Sequence, residues 1–101
     1  AFIGSNVQFD RMYPNLISIG NECIITSGTR IISHYFNPKE RRFYIGRVNI
    51  GEKVFIGMNS LIVNSINIGD NAVIGAGSIV THDIPSGEIW AGNPARFIRK
   101  L

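Results

Sequence analysis

Every sixth residue from Ile50 to Val80 is a branched aliphatic, in the series Ile50, Ile56, Ile62, Ile68, Ile74 and Val80. Glycine follows four of them, at Gly51, Gly57, Gly69 and Gly75. Two residues ahead of each lie Val48, Val54, Ser60, Ile66, Ala72 and Ser78, a second inward series with several small members. A period of six matches neither the 3.6-residue helix nor the two-residue alternation of an ordinary strand. It matches a solenoid in which each hexad supplies one short strand and one corner, so that three hexads close a triangular coil of roughly eighteen residues. The aliphatic points into the prism, the small residue fills the remaining interior, and glycine sits at a tight corner where a Cβ would crowd the backbone. Ile50 then stacks below Ile68, Ile56 below Ile74 and Ile62 below Val80, with coils about 4.8 Å apart through parallel ladders. The pattern predicts an all-β chain: one domain over residues 1–101, a single-stranded parallel β-helix of about five coils at most.

The period fails in three places. Ile3 and Phe9 are in phase, but Asp10 to Asn15 (Asp-Arg-Met-Tyr-Pro-Asn) breaks it before Ile19, Ile25 and Ile31 resume. A larger, basic and proline-marked break begins at Asn37 and predicts a loop extruded from one corner near residues 37–47; insertions in solenoids gather on the binding face. Past Thr81, the run from His82 to Gly87 turns the chain out of the prism, and Ala91 to Leu101 forms a short C-terminal tail reading as a turn and then a short strand or helix. The chain enters a repeat at once from Ala1, leaving the first coil's edge without a visible cap, which predicts a truncated chain or an atypical first coil.

A five-coil prism has a thin core, and packing its flat faces against copies of itself is the ordinary remedy, so a homotrimer is expected. The net charge of +3 and pI near 9.4 are mild. The basic residues divide between one loop (Lys39, Arg41, Arg42, Arg47) and one tail (Arg96, Arg99, Lys100), which suits a small anionic ligand better than a nucleic-acid track. The single cysteine, Cys23, excludes an internal disulfide and points to a cytoplasmic protein. It stands four residues after Ile19, in the small inward slot, and reads as core. No apolar run approaches the roughly 20 residues of a membrane span, and no signal peptide is visible.

Few side chains can carry chemistry. Of two histidines, His34 lies beside Ser33 and Tyr35 just before the extruded loop, and His82 lies beside Asp83 at the last corner. An imidazole at a loop-formed cleft can take a proton from a hydroxyl near neutral pH, which favours His34 as a general base. A histidine-built zinc site in such a prism needs three histidines, so no metal site is expected.

The segments Ile50 to Gly57 and Ile68 to Thr81, followed by Ala91-Gly92-Asn93-Pro94-Ala95-Arg96, resemble the hexapeptide-repeat acyltransferases, with the nearest likeness to the galactoside, maltose and polysaccharide O-acetyltransferases. The likeness spans nearly the whole chain and implies a left-handed coil. Ile31-Ile32-Ser33-His34 looks like the family's catalytic-histidine segment, with serine in place of threonine. The resemblance implies that acetyl-coenzyme A is the co-substrate and lies between two prisms of the trimer. By position it assigns Gly57, Met58, Gly75, Ala76 and Thr81 to the cofactor's arm, and Arg96, Arg99 and Lys100 to its phosphates, where guanidinium groups can bind bidentately. Met58 departs from the small residue common there. Asp10 is expected either to hydrogen-bond a sugar hydroxyl or to orient His34, and Asn6 is a further substrate contact.

The resulting expectation is an acetyl-coenzyme A dependent O-acetyltransferase in which His34 activates a hydroxyl of a saccharide or related acceptor for direct attack on the thioester. The alternatives are N-acetyl transfer to an amino sugar and a non-catalytic trimeric scaffold. An amine acceptor calls for a carboxylate near the base, and only Glu40 stands out in the loop, which favours oxygen.

Overall fold

In a computed structural model, which describes residues 1–63 and 65–101, fourteen of the fifteen strands alternate with tight corners to build a triangular prism and one hairpin, and the last strand closes its end. The first face stacks β1 (Phe2–Ile3), β4 (Ile24–Ile25), β9 (Phe55–Ile56), β12 (Val73–Ile74) and β14 (Glu88–Gly92) in parallel. The second stacks β2 (Gln8–Phe9), β5 (Arg30–Ile31), β10 (Leu61–Ile62) and β13 (Ile79–Val80). The third stacks β3 (Ile17–Ile19), β8 (Val48–Ile50) and β11 (Ile66–Ile68), extended by a bridge from Ile68 to Ile84. Four coils are complete, and β14 begins a fifth.

The register is the one the six-residue period requires. Ile19, Ile50, Ile68 and Ile84 stack on one face, Ile25, Ile56, Ile74 and Trp90 on another, and Ile31, Ile62 and Val80 on the third. Ile25, Ile31, Ile56, Ile62, Ile74 and Val80 are all fully buried, as are the second-series residues Val48, Ala72 and Ser78. Each such aliphatic contributes about 1.5–3 kcal/mol on leaving water. Cys23 belongs to this core, its thiol donating to the Gly51 carbonyl at 2.9 Å.

The corners separate two roles that the sequence pattern runs together. At Gly57, a Cβ would stand 2.4 Å from the Ala76 amide nitrogen of the next coil, so glycine is needed there for the close approach of coils. The left-handed backbone falls instead three residues after most of the inward aliphatics, at Asn6 (φ 57°), Glu22, Lys53, Asn59, Ser65 and Asn71, and at Gly28, Gly77 and Gly87. Asparagine recurs because its short polar side chain tolerates this region.

Two interruptions differ from their sequence reading. The expected loop near 37–47 is an antiparallel hairpin that starts earlier, β6 (His34–Asn37) pairing with β7 (Arg42–Ile45). Aromatic residues on both arms favour the ladder, with Tyr35 stacked on Tyr44 and Phe36 edge-on to Phe43. The C-terminal tail is β15 (Ala95–Lys100), which folds back antiparallel on β14 and covers the last coil, with Trp90 edge-on to Phe97. The break after Phe9 holds a single 3-10 turn at Pro14–Leu16.

Candidate active site

The corner between the second and third faces carries the chain's densest polar chemistry. Asp10 ends β2 and is 2% exposed, although it is a carboxylate. Its Oδ1 accepts the backbone N–H groups of Met12 at 2.8 Å and Tyr13 at 3.1 Å. Its Oδ2 accepts the Ser33 N–H at 2.8 Å and faces Nδ1 of His34 at 2.5 Å. Burial opposes the charged form, but the bonds from Ser33, His34, Tyr13 and Met12 outweigh it and hold the carboxyl well below the usual carboxylate range. An ionised carboxylate is only an acceptor, so Nδ1 of His34 carries a proton and Nε2 holds the ring's free lone pair when the imidazole is neutral.

The local sequence explains this arrangement. The break of phase after Phe9 curls the backbone around the Asp10 carboxylate, as short acidic side chains do in turns. Ser33 is buried, and its hydroxyl donates to the Tyr13 carbonyl at 3.0 Å, tying the break to the base of the hairpin. His34 is the first residue of β6, and its side chain is 26% exposed. Around it lies a pocket of about 310 Å³ lined by Met12, Tyr13, His34, Phe43 and Ile45. Tyr13 meets the imidazole edge-on at 6.0 Å between ring centroids, and Phe43 lies 6.4 Å away on the hairpin. The opposite face of the hairpin borders a groove of about 510 Å³ lined by Tyr35, Tyr44, Val63, Ser65 and Thr81.

This geometry alters the expected role of several residues. Asp10 cannot contact an acceptor, because its carboxylate is buried and both oxygens are engaged; it stands behind His34. Asn6 sits on the corner between the first and second faces, where Gly28 donates to the neighbouring Ser5 carbonyl, and its left-handed backbone accounts for an asparagine there. Gly57 and Gly75 share that corner, but their N–H groups donate to Ile74 and Trp90 of the next coil. Their carbonyls accept hydroxyls from Thr29, Ser60 and Ser78. Both glycines thus take part in the ladder through their amides. Beside them Met58 and Ala76 are exposed, and their N–H groups meet no backbone carbonyl among the described residues. Thr81 lies on the His34 corner, across the second face from these four, with its hydroxyl 3.0 Å from Nδ1 of His82. Arg96, Arg99 and Lys100 project from β15 and are exposed, and no acidic side chain pairs with them among the described residues. Among those residues no three His, Cys, Asp or Glu side chains converge as metal ligands.

The role of Asp10 had a sequence signal, an acid at the point where the period stops. That the amides of both glycines are taken by the ladder had none, because it depends on which coil lies above.

Residues 47–82 match the family model described as the hexapeptide repeat of succinyl-transferase. The putative acetyltransferase YvoF of Bacillus subtilis is 44% identical over 92 residues, covering 91% of this chain and 52% of that protein. Among solved structures, the polySia specific acetyltransferase NeuO superposes with a TM-score of 0.82 at 28% identity, over 97% of this chain and 48% of that one. A galactoside acetyltransferase in complex with coenzyme A superposes at 0.76 with 30% identity, over 99% of this chain and 62% of that one. The chain spans about half the length of the curated relatives it matches. Among the described residues no helix is long and apolar enough to cross a membrane. In its repeat and its stacked coils the chain is a left-handed parallel β-helix of hexapeptide repeats, similar to acetyltransferases of about twice its length.

Proposed function

We propose that this chain is the catalytic domain of an acetyl-coenzyme A dependent O-acetyltransferase, acting on a hydroxyl of a saccharide or related small acceptor. The observation that carries this reading is the His34–Asp10 couple at 2.5 Å, a buried ionised carboxylate behind a partly exposed imidazole at the edge of a pocket. In the proposed step, Nε2 of His34 takes the acceptor's hydroxyl proton as the oxygen attacks the thioester carbonyl. The tetrahedral intermediate collapses with loss of the coenzyme A thiolate, which receives the proton back, giving an acetyl ester and free thiol. Asp10 holds the tautomer and stabilises the imidazolium while it carries the proton. Oxygen is favoured over nitrogen because no carboxylate is among the described residues lining the pocket to accept a proton from an ammonium group.

The relatives that bind coenzyme A support acetyl-coenzyme A as co-substrate. The exposed amides of Met58 and Ala76 suit the amide groups of its arm, and Arg96, Arg99 and Lys100 suit its phosphates. These corner amides and the His34 corner lie on opposite edges of one face, which fits a site assembled from two protomers. The first face presents an outward apolar ladder for such association, Phe2, Ile24, Phe55, Val73 and Ile89, in register across five coils. A homotrimer with its active sites between protomers accommodates both features.

The test is thiol release from acetyl-coenzyme A with a panel of hydroxyl and amine acceptors. His34→Ala should lower turnover by about 10²–10⁴, the range of general-base contributions, while the protein still binds coenzyme A. Undiminished turnover in His34→Ala would overturn the assignment of the base. Arg96→Ala should raise KM for the cofactor and leave acceptor KM nearly unchanged.

A further inference from the structure

The pocket around His34 is walled by apolar side chains with no structural duty in the prism. Phe43 is 67% exposed, Met12 65% and Ile45 51%, and none belongs to the buried core. The hairpin puts two of them there by strand alternation. Ile45 is paired directly with His34 and Phe43 with Phe36, so His34, Phe36, Phe43 and Ile45 share one face, while Tyr35, Asn37, Arg42 and Tyr44 take the other. Among the described residues lining the pocket, none from the hairpin is charged, His34 aside. Arg42 lies over the Tyr44 ring at 5.8 Å, Arg41 lies over the Phe36 ring at 5.9 Å, and Glu40 accepts from the Tyr44 hydroxyl. Asp10, the one carboxylate near the imidazole, is buried and fully bonded. Among the described lining residues, the side chains that carry a nitrogen or oxygen are thus those of His34 and Tyr13.

Resting on the acetyltransferase reading above, we infer that the acceptor is an uncharged molecule presenting an apolar C–H face or a methyl group beside its reactive hydroxyl, as a deoxypyranoside does, and that Phe43 and Ile45 select for it. An aromatic ring and a branched aliphatic offer that surface a dry contact. A carboxylate or ammonium at the same place loses its hydration and meets no acidic or permanently charged basic side chain among the described lining residues. A fully hydroxylated pyranoside lies between these cases, because its extra hydroxyl is left without a partner against Phe43.

Three methyl glycosides of one sugar series, the 6-deoxy form, the parent hexoside and the uronate, test this by kcat/KM at saturating acetyl-coenzyme A. Wild type should rank them in that order, with the deoxy form ahead of the parent by about tenfold and the uronate lower by a further tenfold or more, the scale on which apolar pockets discriminate. Phe43→Ala should remove most of the deoxy-over-parent advantage, and Phe43→Leu, which keeps an apolar wall, should retain part of it. Equal kcat/KM across the three, a preference for the uronate, or an unchanged ranking in Phe43→Ala would each overturn the inference while leaving the acetyltransferase reading intact. Absence of turnover with every hydroxyl acceptor would instead sink that reading. Ligand-observed NMR of the three glycosides with wild type and Phe43→Ala then decides the pocket's preference by itself: Phe43-dependent binding of the deoxy form supports it, and binding of all three alike, or of none, overturns it.

Discussion

Replacing Asp10 by asparagine changes one oxygen to an NH2 group and tests the whole arrangement behind the proposed base. The best orientation keeps the amide oxygen on the Met12 and Tyr13 N–H groups, so Nδ2 must face the Ser33 N–H and Nδ1 of His34, which the native Oδ2 holds at 2.8 Å and 2.5 Å. Two donors then meet at Ser33, where a buried N–H without an acceptor costs about 1–3 kcal/mol. The imidazole responds by accepting at Nδ1, which moves its proton to Nε2 and removes the lone pair from the pocket side. An amide in the corresponding place of a Ser-His-Asp triad costs about 10⁴ in kcat through the same change of tautomer. For Asp10→Asn we predict a fall of about 10²–10⁴ in kcat for thiol release with KM for acetyl-coenzyme A nearly unchanged. The melting temperature should fall by about 4–8 °C for each kcal/mol lost. Nitrogen NMR of the imidazole separates mechanism from mere damage, since the His34 tautomer should switch from Nδ1–H to Nε2–H in the folded variant. A variant that is folded, retains turnover within about threefold and still shows the Nδ1–H form would refute the reasoning.

The depressed ionisation of Asp10 makes a stability prediction whose sign follows from linkage: its contribution is present above the ordinary carboxylate range near pH 4 and is lost as pH falls below it toward the folded-state value. The urea midpoint of wild type should therefore exceed that of Asp10→Asn at pH 7 and converge on it below about pH 4; a constant gap from pH 7 to pH 2 would show that the charge is irrelevant. Gly57→Ala should destabilise by about 3 kcal/mol or more, since its Cβ meets the next coil's backbone at 2.4 Å, whereas Gly77→Ala, with φ +69° and open space around it, should cost only about 1–2 kcal/mol; thermal melts giving the two equal losses would contradict the division of corner roles. Phe55→Glu, at the middle of the outward apolar ladder, should shift sedimentation from trimer to monomer and abolish turnover with the coil spectrum retained; an intact trimer would place the interface elsewhere.

The prism was legible from sequence because its physics is local and repeated. A six-residue spacing of Ile50, Ile56 and Ile62 dictates which side chains point inward and which residues stack, and a parallel ladder leaves no other register that buries all three series. His34 was visible because the period stops beside it, and Asp10 for the same reason. Spacing, however, cannot say what a side chain faces once the coils stack. Gly57 and Gly75 look like approach points for a ligand, yet the next coil accepts from their amides, and their carbonyls accept hydroxyls from their own and the preceding coil. Asp10 could equally have faced a substrate; the backbone curl that brings Met12, Tyr13 and Ser33 onto its carboxylate decides that it faces His34 instead. The hairpin read as a loop, because charge and proline mark its turn while the alternation of Tyr35, Phe36, Phe43 and Tyr44 extends only four residues on each arm. The sequence alone determined the coil, its register and the position of the candidate base. Tertiary structure decided the partner of that base and the apolar wall before it, because both depend on contacts between segments separated by 24 residues in one case and by a reversal of chain direction in the other.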